Sequence, residues 1–71
     1  MARLTVAQHN AIIERVREVA VLTRQTPPFS ESRMLLIRVA NDVRNGESYA
    51  TICGYLDKAE QIAHDEMEVS P

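Results

Sequence analysis

The chain has 71 residues, of which 45% are hydrophobic and 25% are charged, and its formal net charge is −2. This length allows one domain, and the composition is typical of a globular chain rather than a disordered one. No apolar run approaches the roughly 20 residues of a membrane-spanning helix, and a single cysteine, Cys53, excludes an internal disulfide framework. The N-terminal residues lack a secretory signal pattern, so we expect a cytoplasmic protein with no membrane partner.

The first helix is predicted over residues 5–24. Thr5 and Gln8 have the spacing of a capping box, in which each side chain bonds the other residue's backbone N–H. Two consecutive prolines, Pro27 and Pro28, prevent the helix from continuing. One side of this helix carries the residues that we expect to face the core: His9, Ile12, Ile13, Val16, Val19, Ala20 and Thr23.

The second helix is predicted over residues 30–45. Ser30 is its expected N-cap, Phe29 and Met34 are spaced as a hydrophobic staple, and Gly46 supplies the left-handed residue that closes many helices. Pro27 at a first helical position, with Thr26 as cap, is the competing start.

The third helix is predicted over residues 48–67, with Ser48 as its cap. Its apolar residues recur every three or four positions and form a bundle seam: Tyr49, Ile52, Leu56, Ala59, Ala63 and Met67. The loop after the second helix is short, which makes neighbouring helices antiparallel. We therefore predict an all-α fold, a single domain over residues 1–71 built as a small up-down-up three-helix bundle.

Four consecutive apolar residues, Met34 to Ile37, cannot share one face of a helix, because successive residues lie about 100° apart. The core-facing stripe of the second helix consists of Leu35, Leu36, Val39, Ala40 and Val43. Met34 and Ile37 are left on the far side, with Asn41 between them and Arg38 and Arg44 beside them. Apolar residues flanked by arginine are typical of an interface centre, so we expect a homodimer formed through the second helix. Extra burial inside a tightly wrapped monomer is the alternative.

Charge is spread unevenly along the chain. Residues 1–45 carry seven arginines against four acidic residues, whereas residues 46–71 carry one lysine against six acidic residues. This asymmetry can orient antiparallel helices or two subunits. Two ordinary solvated faces would give the same pattern.

Ala50 and Gly54 lie one turn apart, away from the seam of the third helix, and form a possible notch for a docking helix. A locally tolerated glycine, or close packing within the fold, is the alternative. The segment ESYATICGYLDKAEQIA, residues 47–63, also resembles a helix-turn-helix unit, with glycine where that motif turns. It departs from the motif at Glu60, where a buried apolar residue is usual. The would-be recognition helix is acidic and would be repelled by phosphates, so nucleic acid is not the partner that we favour.

No catalytic, cofactor or metal site is predicted. Asp57, Glu60, His64 and Glu68 share one stripe of the third helix, but nothing elsewhere completes a metal shell. Cys53 lacks an activating base and a cleft.

The sequence favours a non-enzymatic interaction module that acts as a regulator, adaptor or inhibitor of another, unidentified protein. Short free-standing chains of this kind are typical of phages and mobile elements. The alternatives are a small DNA-binding or transcription-associated regulator with a degenerate helix-turn-helix, and a structural subunit of a larger assembly.

Overall fold

The computed structural model describes residues 4–69, which form three helices and no strand. The helices are α1 (Val6–Thr23), α2 (Glu31–Asn45) and α3 (Tyr49–Val69), and each end lies within two residues of the predicted one. They pack together into a body with principal extents of 44 × 17 × 15 Å. The prediction of an all-α helical bundle is confirmed.

Contacts between side chains fix the directions of the helices. Ser32, near the start of α2, bonds Glu66, near the end of α3, while Arg38 further along α2 lies over Tyr55. These two helices are therefore antiparallel. Arg15 of α1 reaches Glu60, and Tyr49 at the start of α3 lies beside the first half of α1, so α1 and α3 run in the same direction.

The helix ends follow local capping chemistry. The Gln8 backbone N–H donates to Thr5 Oγ1 (3.1 Å) and the Thr5 N–H donates to Gln8 Oε1 (3.0 Å), so the predicted capping box is formed. Ser30 Oγ and Ser48 Oγ each accept the backbone N–H of the residue three positions on. Gly46 closes α2 with a φ of 76°. Because α2 begins after Ser30, the alternative start at Thr26 is wrong.

The predicted staple between Phe29 and Met34 is wrong. Phe29 has a φ of 61° and is 92% exposed, so its ring does not cover the first turn of α2. Met34 is 55% exposed. Positive φ is unusual for an aromatic residue, and here it leaves the ring in solvent.

The core is small, and α3 contributes more of its buried apolar side chains than either other helix. Its buried apolar side chains are Ile12, Val19, Val39, Ile52, Leu56, Ala59 and Ala63. Helices α2 and α3 pack most closely, whereas α1 and α2 approach each other least. As a result, three residues that were assigned to core-facing stripes, His9, Ile13 and Ala40, are exposed.

Buried hydroxyl groups join the α1–α2 connection to the far end of α3, a feature that the sequence analysis missed. Thr26 Oγ1 donates to the Thr23 carbonyl (2.7 Å) and lies 3.0 Å from Ser30 Oγ, which in turn lies 3.1 Å from Ser32 Oγ. The Ser32 hydroxyl then donates to the Glu66 carboxylate. The chain of hydroxyls fixes the proline-containing connection against the bundle.

Candidate protein-binding surface

An apolar groove lies between α1 and α2, on the side of the bundle that α3 leaves uncovered. Its volume is about 400 Å³. The groove, called here the α1–α2 groove, is lined by His9, Ile12, Ile13, Val16, Arg17, Val39, Ala40 and Val43. Most of this lining is aliphatic, so the groove suits an apolar side chain better than a polar ligand.

The outward side of α2 continues the apolar surface of the groove. Met34 is 55% exposed and Ile37 is 58% exposed, and Asn41 beside them is also exposed. We call these three residues the α2 ridge. Ile37 precedes Ala40 by three positions, which makes the two side chains neighbours on the helix surface. The α2 ridge and the α1–α2 groove therefore form one continuous face.

Arginines border this face. Arg17 lines the groove from α1, and Arg44, four positions after Ala40, lies in the last turn of α2 and is exposed. Neither makes an ion pair within the described residues. Arg38 is held differently, because its guanidinium lies 4.7 Å from the centroid of the Tyr55 ring and so ties α2 to α3. An apolar centre with arginine at its edge has the composition of a protein interface.

The residues of the predicted notch face solvent. Ala50 and Gly54 are exposed, and a Cβ built on Gly54 would meet no atom within 4 Å. Close packing within the fold is therefore wrong as an explanation of this glycine in the single chain, whereas a locally tolerated glycine stays open. That a helix of another molecule docks into this notch stays a prediction.

The helix-turn-helix interpretation of residues 47–63 is wrong as a local structure. Helix α3 runs from Tyr49 to Val69 without interruption, so no turn forms at Gly54. Glu60 is half-buried and accepts a hydrogen bond from Arg15. It does not take the buried core position that the motif has at this point.

The opposite side of α1 meets α3 through polar contacts. Arg15 Nη2 lies 2.9 Å from Asp57 Oδ1 and 3.0 Å from Glu60 Oε2, and its hydrogen bond to Asp57 raises the pKa of the guanidinium above its ordinary value. Two of the four residues considered as metal ligands are thus paired with a cation. Cys53 is half-buried, and its contact with Tyr49 raises the pKa of that hydroxyl above 10.0.

Sequence reasoning found the α2 ridge but missed the groove and the exposed ring of Phe29. The sequence does contain a feature that indicates the groove. The apolar stripes of α1 and α2 hold more aliphatic residues than contact with α3 alone can bury. Nothing in the local sequence indicated a positive φ at Phe29. A loose α1–α2 contact follows from how all three helices share the small core.

The chain matches no protein-family model, no curated protein and no solved structure. None of the three described helices is both long enough and apolar enough to cross a membrane.

Proposed function

We propose that this protein is a small, self-associating interaction module without enzymatic activity, which acts by binding polypeptide surfaces. The observation that carries the proposal is the continuous apolar face formed by the α1–α2 groove and the α2 ridge. A chain of 71 residues that leaves this much aliphatic surface uncovered gains stability when another surface covers it.

A second copy is the first occupant that we propose for this face, giving a homodimer through α2 and part of α1. Closed twofold dimers are the commonest oligomers.

Size-exclusion chromatography with light scattering tests self-association. Ile37→Asp places a charge on the α2 ridge and should convert the dimer into a monomer. Val21→Asp is the matched control, because Val21 is 54% exposed but does not line the groove. Equal masses for the wild-type protein and both variants would contradict the proposal.

A dimer would present two copies of its remaining surfaces to another protein, in the manner of a regulator, adaptor or inhibitor. The notch at Ala50 and Gly54 stays uncovered in such a dimer, whereas the α2 ridge with Arg44 is a candidate only where self-association does not use it. We expect affinity capture from lysate of the native host to retain a protein that either Ile37→Asp or Gly54→Arg releases. If both variants retain the same lysate proteins as the wild-type chain, neither surface binds the partner.

DNA binding is the second candidate function, supported by the arginines on the α1–α2 side. The outer side of α3 carries Asp57, Asp65 and Glu68 against Lys58, which opposes phosphate contact there. A gel shift on duplex DNA at low salt that weakens as salt is added would favour this candidate over the interaction module.

A further inference from the structure

We infer that Phe29 is the anchor of the dimer, and that its ring enters the α1–α2 groove of a second copy while the partner's ring enters the groove of the first. The inference rests on the proposed self-association and specifies its contacts. It joins an exposed aromatic ring, which is convex, with an apolar groove, which is concave.

Phe29 has the properties of an anchor residue. At 92% exposure it is the most exposed of the large hydrophobic side chains that the structure describes. Its φ of 61° is costly for a residue with a Cβ, and such strain persists where the surrounding structure imposes it. Here the two prolines before it and the capped start of α2 after it hold the backbone. Aromatic residues dominate the binding energy of many interfaces.

The spacing of Phe29 and the groove fits a twofold arrangement. The groove residues of α2 are centred near Asn41, about 12 positions after Phe29, and the ten of these positions that lie within α2 span about 15 Å at 1.5 Å per residue. In an antiparallel pair with Phe29 beside Asn41 of the other copy, the twofold axis passes near position 35. Met34 and Ile37 then meet their counterparts close to the axis. The exposed apolar residues of α2 are thereby covered by the same arrangement.

Charge supports the same register. Glu31 lies at the start of α2 and Arg44 lies in its last turn, and both are exposed. With Phe29 beside Asn41, Glu31 of one copy lies beside Val39 of the other, five positions or about 7.5 Å along the helix from Arg44. Each end of the interface therefore carries a carboxylate and, about 7.5 Å further along the helix, a guanidinium that makes no ion pair within the described residues.

Two complementary variants test the inference. Phe29→Ala removes the anchor and leaves the groove intact, whereas Ala40→Glu charges the groove and leaves the anchor intact. Both positions are exposed, and circular dichroism checks that each variant folds. Alone, each variant should dimerise at least about tenfold more weakly than the wild-type protein, as expected for loss of a principal contact.

Mixing the variants separates an intermolecular anchor from a general loss of stability. The mixed dimer retains one intact pair, with the ring of the Ala40→Glu chain in the groove of the Phe29→Ala chain. We expect sedimentation of an equimolar mixture to show stronger association than either variant alone. No such gain, or a dimer of wild-type strength for Phe29→Ala, would overturn the anchor but leave the proposed self-association standing. A strictly monomeric wild-type protein would overturn both.

Tryptophan fluorescence gives an independent readout, because the chain contains no tryptophan. Phe29→Trp places a single fluorophore at the anchor. Its emission should shift to shorter wavelengths as protein concentration rises, and Ala40→Glu in the same chain should abolish the shift. Emission that does not depend on concentration would contradict burial of this side chain between two copies.

Discussion

The hydroxyl of Ser32 donates a hydrogen bond to the carboxylate of Glu66 and so joins the start of α2 to the end of α3. Ser32 is fully buried, and its oxygen also lies 3.1 Å from Ser30 Oγ. This bond is the last in the series that begins at Thr23. It holds together the end of the bundle from which Phe29 projects.

Replacing Ser32 by alanine should lower the free energy of unfolding by about 1–3 kcal/mol, because a partly buried carboxylate loses its donor. Urea denaturation measures the change. Thr51→Ala is the control, since Thr51 is exposed and bonds only at the start of α3. Equal effects for the two variants would show that the buried bond contributes no more than an exposed one.

The two glycines should respond to alanine with opposite signs. Gly46→Ala should cost about 1–2 kcal/mol, because Gly46 has a φ of 76° and a Cβ is disfavoured there. Gly54→Ala should stabilise by about 0.5–1 kcal/mol, because Gly54 lies inside α3 and a Cβ would meet no atom within 4 Å.

Thermal unfolding of the two glycine variants checks this prediction. A destabilising Gly54→Ala at concentrations where the protein self-associates would show that another chain approaches this notch closely. The opposite sign for Gly46→Ala would contradict the left-handed end of α2.

Arg15 should contribute modestly to stability through Asp57 and Glu60. These side chains are 31%, 70% and 44% exposed, so screening limits the loss on Arg15→Gln to about 1 kcal/mol or less, and the loss should shrink in 1 M salt. Arg17→Gln is the control, because Arg17 has no ion pair in the described part of the chain. Equal losses at low and high salt would show that the effect is not electrostatic.

The raised pKa of Arg15 determines how this contribution depends on pH. A cation whose pKa is higher in the folded state stabilises fully below its unfolded pKa and loses that stabilisation only as pH rises through the folded value. The guanidinium itself should therefore introduce no pH dependence between pH 6 and 10. A difference between wild-type protein and Arg15→Gln that vanishes by about pH 10 would contradict this reasoning.

Phe29→Gly should separate stability from association. Glycine relieves the positive φ and should stabilise the monomer by about 1 kcal/mol, while removal of the ring weakens the dimer. Unfolding measured at low and at high protein concentration distinguishes the two effects. A variant that is less stable than the wild-type protein at every dilution would contradict the strain at this position.

Local sequence features predicted the helices well because each end has its own chemistry. Thr5 with Gln8, Ser30, Gly46 and Ser48 act over three or four residues, and the structure uses each of them. The exposure of Met34 and Ile37 likewise followed from helical geometry alone.

Features that depend on all three helices together could not be predicted in the same way. Ile13 and Ala40 lie on the apolar stripes that helical periodicity assigns to the core, but both are exposed. The reason is that α3 supplies most of the small core, so α1 and α2 contact each other little along one side. The Thr26–Ser30–Ser32 hydroxyls likewise read as ordinary turn and cap residues. The bond from Ser32 to the distant Glu66 forms only because α2 packs against the end of α3.

Sedimentation equilibrium of the unaltered protein tests most directly whether a second copy covers the face that α1 and α2 share. Over a micromolar concentration range, the fitted mass should rise from the 8.0 kDa of one chain to twice that value and stop there. A mass that remains at 8.0 kDa at the highest concentration would contradict the proposed dimer and the anchoring of Phe29.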